Sequence, residues 1–171
     1  MPGLRWSRSP AATCPSERDH AGMTETIRFY AVRDEYGAFS NFAPYPVTID
    51  GVLWPTTEHY FQASKFDDPR SRDEIRRNKS PMQAARMGRD RRRKLRGDWD
   101  SVKVDVMRKA VLAKFRQHRE LRKLLLSTGR ATLVEHTAGD HFWGDGGDGS
   151  GRNMLGLVLM ETRERLRAGD R

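Results

Sequence analysis

Asp140-His-Phe-Trp-Gly-Asp-Gly-Gly-Asp-Gly-Ser-Gly-Arg-Asn-Met-Leu-Gly156 is the stretch on which the reading of the fold turns. Gly144, Gly146 and Gly149 spell G-x-G-x-x-G. Taken as a dinucleotide fingerprint, they would make the chain an α/β protein with a parallel sheet. The fingerprint needs a hydrophobic strand directly before it, inside a βαβ unit, and Asp140-His-Phe-Trp143 is not that strand. The match is accidental. What remains is a glycine-rich loop running into an apolar helix. Glycine runs cost entropy to order, so folded proteins keep them where backbone bends sharply or approaches a ligand. A helix start offers free N–H groups and the positive end of a macrodipole, both suited to phosphate. Trp143 adds a flat face on which a base or sugar could stack. A plainer reading is a simple loop, with Asn153 capping the helix and Trp143 packed inside.

The helix after this loop runs from about Met154 to Arg167, apolar and buried at its start, charged and exposed at its end. Before the loop, Thr132-Leu-Val-Glu-His136 reads as a short strand. Further back, Val102, Val106, Ala110 and Ala113 recur on one face of a helix capped by Asp98 or Asp100, and that face is expected to be buried. Ser80-Pro-Met-Gln83 is a capping box with proline at the first helical position. Pro55-Thr-Thr57 opens a helix expected to reach Phe66, capped by Thr56 or Thr57. Val47-Thr-Ile-Asp-Gly-Val-Leu-Trp54 is a hairpin, because Asp50-Gly51 supplies the positive φ angles of a tight primed turn. Ile27 to Val32 is the first strand. The expected fold is therefore α+β: a single mostly helical domain, residues 24–171, with a small antiparallel sheet. Residues 1–23 carry no periodicity and read as a disordered extension, with translation starting at Met23 as a reading that intact mass would test.

The chain has 171 residues, 36% apolar and 32% charged, as in a globular protein with a heavily charged surface. No apolar run approaches the roughly 20 residues a membrane helix needs, and no secretory leader is evident. A single cysteine, Cys14, excludes an internal disulfide and a cysteine-based zinc site, and points to a reducing cytoplasm. The net charge of +9 favours an anionic partner. Its densest part, Arg89 to Arg96, reads either as a solvated face or as a footprint for DNA. Oligomeric state is left open.

Three clusters could carry chemistry. Glu58, Gln62 and Lys65 fall at i, i+4 and i+7 and so share a helical face. Their bland alternatives are a carboxylate complementing the helix dipole and an ordinary surface lysine. Phe39-Ser-Asn-Phe42 places Asn41 between aromatics in a loop, or merely caps a turn. The third cluster is the Asp140 segment. Trp99 is either a further ligand platform or a buried ring. Asp145 and Asp148 lack EF-hand spacing, and neither H-E-x-x-H nor G-x-S-x-G occurs, so no metal site and no serine nucleophile are expected.

Taken together and in order, these blocks resemble the YbiA-like family, also called NADAR domains. The resemblance runs from about Ile27 to Arg167. It rests on Phe39-Ser-Asn-Phe42, Trp54-Pro-Thr-Thr-Glu-His-Tyr-Phe-Gln-Ala-Ser-Lys-Phe66, Asp98-Trp-Asp100, Lys114-Phe115, Leu133-Val-Glu135, Asp140-His-Phe-Trp-Gly144 and Gly151-Arg-Asn-Met-Leu-Gly156. It implies a cofactor-independent N-glycosidase. Bacterial members of the family act on phosphorylated ribosylaminouracil intermediates of the riboflavin pathway, and others remove ADP-ribose from guanine in DNA.

Breaking a ribose C1′–N bond develops an oxocarbenium-like sugar, which a carboxylate can stabilise while another activates water. On this reading Glu58 and Asp140 are the catalytic carboxylates, with roles undivided. Lys65 holds phosphate or serves an opened sugar as an amine. Trp143 and Trp99 stack on the base, Asn41 and Asn153 bond sugar or base edges, and Phe42 and Gln62 line the site. Gly144, its neighbouring amides and Arg152 hold phosphate. Asp145 and Asp148 would oppose a phosphate over that loop unless they point to solvent. Against this enzyme stand a non-catalytic module binding ADP-ribose or NAD, and a basic nucleic-acid-binding protein. Neither explains Glu58 and Asp140 at one site.

Overall fold

The computed structural model describes residues 25–169; the expected extension over residues 1–23 lies outside the described residues. The elements run β1 (Thr26–Phe29), β2 (Val47–Ile49), β3 (Val52–Trp54), α1 (Thr57–Ala63), α2 (Pro69–Arg76), α3 (Pro81–Gly88), α4 (Trp99–Gln117), α5 (Arg119–Ser127), β4 (Thr132–Glu135) and α6 (Met154–Arg167). This is the expected mostly helical α+β domain. The antiparallel hairpin β2–β3 closes at Asp50 and Gly51, both at positive φ (52° and 75°). A second pair is parallel: β1 lies beside β4, with Phe29 opposite Glu135.

Local signals explain most boundaries. Thr56 caps α1 by accepting from His59 N at 3.3 Å, and Ser80 caps α3 by accepting from Gln83 N at 3.5 Å. Asp98 holds the N-cap position of α4 without a side-chain cap bond. Several expectations need correction. α1 ends at Ala63 rather than Phe66, so Lys65 sits in the turn beyond it. β1 stops at Phe29, because the chain turns back with Asp34 N on Ala31 O at 3.0 Å. α2 was not anticipated: Asp68 caps it and Pro69 opens it, yet Ile75 is its one buried residue, too little for a periodic signal.

Two apolar clusters form the core, and α4 separates them. The larger gathers Phe29, Phe39, Phe61, Val111, Phe115, Leu133, Leu155 and Leu159 among others; the smaller gathers Val47, Trp54, Tyr60, Phe66 and Ile75. The face predicted from Val102 to Ala113 serves the smaller cluster, through Ala110 and the partly buried Val106 and Ala113. Met107, Val111 and Phe115, one step round the helix, fill the larger one. α6 also departs from expectation, because its charged half stays buried on one side at Arg163 and Leu166. The Arg163 guanidinium survives burial by donating to Thr128 Oγ1 at 2.8 Å and Ala131 O at 2.9 Å. Where α6 begins, Gly156 lies so close to β4 that an added Cβ would collide with the Leu133 carbonyl. That contact fixes the glycine segment against the end of β4.

Candidate active site

Every residue of α1 is buried, which is unusual for a helix carrying a carboxylate and an amide. Glu58 accepts from Gln62 Nε2 at 2.7 Å, and its backbone N–H donates to Asn41 O at 3.2 Å. Burial pushes the Glu58 carboxyl up, against the opposing pull of Gln62, Lys65 and Arg89. Glu58 opens onto a cavity of about 120 Å³, whose wall includes Asn41, Phe42, Gln62, Glu135, Asp140 and Trp143. Three carboxylates from three separate pieces of chain therefore meet at one small space: α1, the end of β4, and the loop after it.

Glu135 is the residue the sequence reading passed over. Burial raises its carboxyl to about 7, and the neighbouring Asp140, Glu58 and Asp145 charges push the same way. Period-two alternation carried the signal: Leu133 is fully buried, so Glu135, two residues on, shares its inward face. A strand that turns a glutamate toward its core side is worth suspecting. Glu135 and Asp140 also line a larger outer groove of about 440 Å³, continuous with the cavity at Phe42 and Arg89 and walled by Tyr30, Val32 and Met82.

The other expected site residues divide. Asp140 lines the cavity while its Oδ1 accepts from Phe142 N at 2.8 Å and Trp143 N at 2.7 Å, which leaves Oδ2 for chemistry. Asn41 is anchored, accepting from Thr57 Oγ1 at 3.0 Å and donating to Met107 Sδ at 3.2 Å. Its loop is held from behind by Lys114, almost wholly buried on α4, which donates to Ser40 O at 2.9 Å. Burial pulls that ammonium down to about 7. Trp143 lines the cavity, with edge-to-face contacts to Phe61 (5.3 Å) and Phe142 (5.0 Å). Trp99 packs on Phe61 at 5.1 Å and does not reach the wall. Lys65 also lies outside the wall: Nζ donates to Gly88 O at 3.3 Å between the Phe61 and Trp99 rings, and burial lowers its ammonium while Glu58 opposes the change.

The glycine segment is not the phosphate cradle its composition suggests. Asn153, Met154 and Leu155 N–H donate to the carbonyls of Gly144, Phe142 and Trp143 at 2.9–3.0 Å, so the start of α6 offers no free anion site there. Gly146 N donates to Asp140 O at 3.2 Å, Gly147 N to Asp145 Oδ1 at 2.9 Å and Gly151 N to Asp145 O at 2.8 Å. Asp145 does not face solvent. It is buried against His136 Nδ1 at 2.8 Å, and that bond, first among several, holds its carboxyl low. Gly144 is buried against Thr137 and the Glu135 carbonyl. Asn153 holds the N-cap position of α6 without a side-chain cap bond, and it does not line the cavity. At positive φ (50°), it accepts from Glu135 N at 2.9 Å and donates to Leu133 O at 2.8 Å, as an extra strand partner for β4. Arg152 rests over the Phe142 ring at 4.9 Å, away from the cavity wall.

Three of the six cations from Arg89 to Arg96 are spent on ion pairs. Arg92 meets Asp90 at 2.8 Å, Arg93 meets Glu74 at 2.8 Å, and Arg96 donates to Asp98 Oδ2 at 2.9 Å. Among the described residues, no three His, Cys, Asp or Glu side chains are grouped so as to hold a metal ion, and no helix is long and apolar enough to cross a membrane.

The chain is 60% identical over 147 residues to N-glycosidase YbiA of Escherichia coli, covering 86% of this chain and 92% of that protein. It is 45% identical over 144 residues to a riboflavin biosynthesis protein of Vibrio vulnificus, covering 84% of this chain and 39% of that longer protein. The NMR structure of the E. coli protein YbiA superposes with a TM-score of 0.80 at 59% identity, covering 89% of this chain and 91% of that one. The NADAR domain family matches residues 28–167. The chain belongs to the NADAR family.

Proposed function

We propose that this protein is an N-glycosidase that hydrolyses the ribose C1′–N bond of a phosphorylated nucleotide-like compound, a ribosylaminouracil intermediate of the riboflavin pathway. One observation carries the reading: Glu58, Glu135 and Asp140 converge on one cavity, and the carboxyls of Glu58 and Glu135 are raised. Three carboxyl groups so close together cannot all ionise cheaply, so the cluster keeps a proton near neutral pH. A group that only bound its ligand would gain nothing from that arrangement. The names of the YbiA and riboflavin relatives support the same bond and the same substrate class.

The cavity is small enough to enclose a sugar, and the outer groove is large enough for a base. Glu135 lines both, so the scissile bond belongs beside it. Protonated Glu135 gives its proton to the departing nitrogen as the C1′–N electron pair leaves with the base. Glu58, hydrogen-bonded by Gln62 and with the Lys65 and Arg89 charges opposing the effect of its burial, faces the developing sugar cation. Asp140 takes a proton from the water that adds to C1′. Gln62 Oε1, buried without a donor, is an acceptor for a sugar hydroxyl. Lys65 balances Glu58, and its lowered ammonium suits an amine acting on an opened sugar. The compartment we propose is the cytoplasm, on the single cysteine.

The second substrate of this chemistry, ADP-ribosylated guanine in DNA, would use the same carboxylates. It fits less well, because Arg92, Arg93 and Arg96 already face carboxylates of the protein. The test is to incubate the protein with the phosphorylated ribosylaminouracil and, separately, with guanine-ADP-ribosylated DNA, following released base. Release from the first supports the proposal; release from DNA alone would move the substrate; release from neither would favour a binding module.

A further inference from the structure

The substrate's phosphate still needs a holder, since Gly146, Gly147 and Gly151 spend their amides within the loop and Arg152 lies over the Phe142 ring, outside the cavity wall. Arg89 follows directly on α3, with its side chain exposed at the rim where cavity and outer groove meet. It is the one basic residue in the wall of either space. Among the described residues it forms no ion pair or side-chain hydrogen bond, whereas Arg92, Arg93 and Arg96 of the same run are each matched to a carboxylate. Other nearby cations are committed: Lys65 to Gly88 O, Lys103 to Asp100 at 2.8 Å. The cavity interior holds three carboxyl groups and repels an anion, so a phosphate stays at the rim while the sugar enters.

We propose that Arg89 is a specificity-determining residue that clamps the phosphate monoester of the substrate at the rim, orienting the ribose inward toward Glu58 and Glu135. A planar guanidinium with no partner in the free protein can meet two phosphate oxygens at once without first breaking an ion pair. The assignment rests on the N-glycosidase reading for its choice of ligand, but its test does not require turnover.

Binding of ribose 5-phosphate and of ribose is measured by calorimetry on the wild type, Arg89→Gln and Arg89→Lys. The wild type is expected to prefer ribose 5-phosphate by about 10- to 100-fold, the range spanned by a hydrogen bond to a charged group. Arg89→Gln should erase that preference, and Arg89→Lys should keep part of it. In turnover, Arg89→Gln should raise KM for the phosphorylated substrate far more than for an unphosphorylated N-glycoside. Equal binding of the two sugars by the wild type, or a preference that survives in Arg89→Gln, would overturn the assignment. Equal weakening of both substrates would do so too, since it would reduce Arg89 to a neighbour that tunes Glu58. A wild type that prefers ribose 5-phosphate but hydrolyses no N-glycoside would count against the proposed activity and leave the clamp standing.

Discussion

Helix α1 and the glycine segment face each other across the candidate site, and they use their polar groups in opposite ways. The segment from Asp140 to Gly156 looks built for a ligand, yet many of its amides and two of its acids are consumed internally. α1 looks like an ordinary core helix, yet it carries a carboxyl group and an amide into a cavity where charge is expensive. Glycine signals what the backbone must do. A buried acid whose desolvation no ion pair repays signals what the chemistry must do.

The sharpest way to break this contrast is Glu58→Gln. Turnover should fall by about 10²–10⁴-fold, the range for a positioned acid–base group, while thermal melting stays near that of the wild type. The matching change in the segment, Arg152→Ala, should leave kcat/KM within about twofold, because the side chain covers a ring outside the cavity.

Glu135 sharpens the comparison through pH. Its carboxyl is raised to about 7, so it is protonated below that pH and ionises as pH rises through it. A proton donor of this kind gives a rate that falls on the alkaline side of about pH 7, and Glu135→Gln should lower turnover and remove that limb. Linkage runs the same way for stability. Between the unfolded value of 4.5 and about 7 the folded state binds more protons, so stability falls across that window in the wild type, and by less in Glu135→Gln. Melting temperatures taken across that range check this.

Asp145→Asn should act on the scaffold instead. It weakens the bonds to His136, Thr137 and Gly147, costing about 1–3 kcal/mol by denaturant unfolding, with little change in kcat. Because the wild-type Asp145 carboxyl is held low, its contribution is present above the unfolded value of 3.8 and is lost as pH falls through the lower folded one. A smaller loss of stability is expected at Gly149, where φ is 85° and the space is open. Alanine there should cost about 1–2 kcal/mol of backbone strain and nothing in turnover.

Much of this was legible before the structure. The Asp50-Gly51 turn, the Thr56 and Ser80 caps and the apolar start of α6 each state their geometry in a few adjacent residues. Glu58, Gln62 and Asp140 were legible as candidates because helical spacing and a loop position suggested them, and the cavity unites them. Glu135 was hidden because a strand of four residues gives the alternation too little length to announce itself. Arg89 was hidden for a different reason: the six cations from Arg89 to Arg96 look alike in sequence, and only their ion pairs and the cavity wall distinguish them. The fate of the segment's amides was equally unreadable, since the carbonyls that take them lie at Asp140, Phe142, Trp143, Gly144 and Asp145 in the same loop, folded back on itself.

The central question is which side of the cavity does the chemistry. Release of free base from the phosphorylated ribosylaminouracil, followed side by side for the wild type, Glu58→Gln and Arg152→Ala at pH 7, measures this directly. The expected result is turnover in the wild type and Arg152→Ala, with a loss of about 100-fold or more in Glu58→Gln. Full turnover by Glu58→Gln, with collapse in Arg152→Ala, would place the chemistry on the glycine segment and contradict the account.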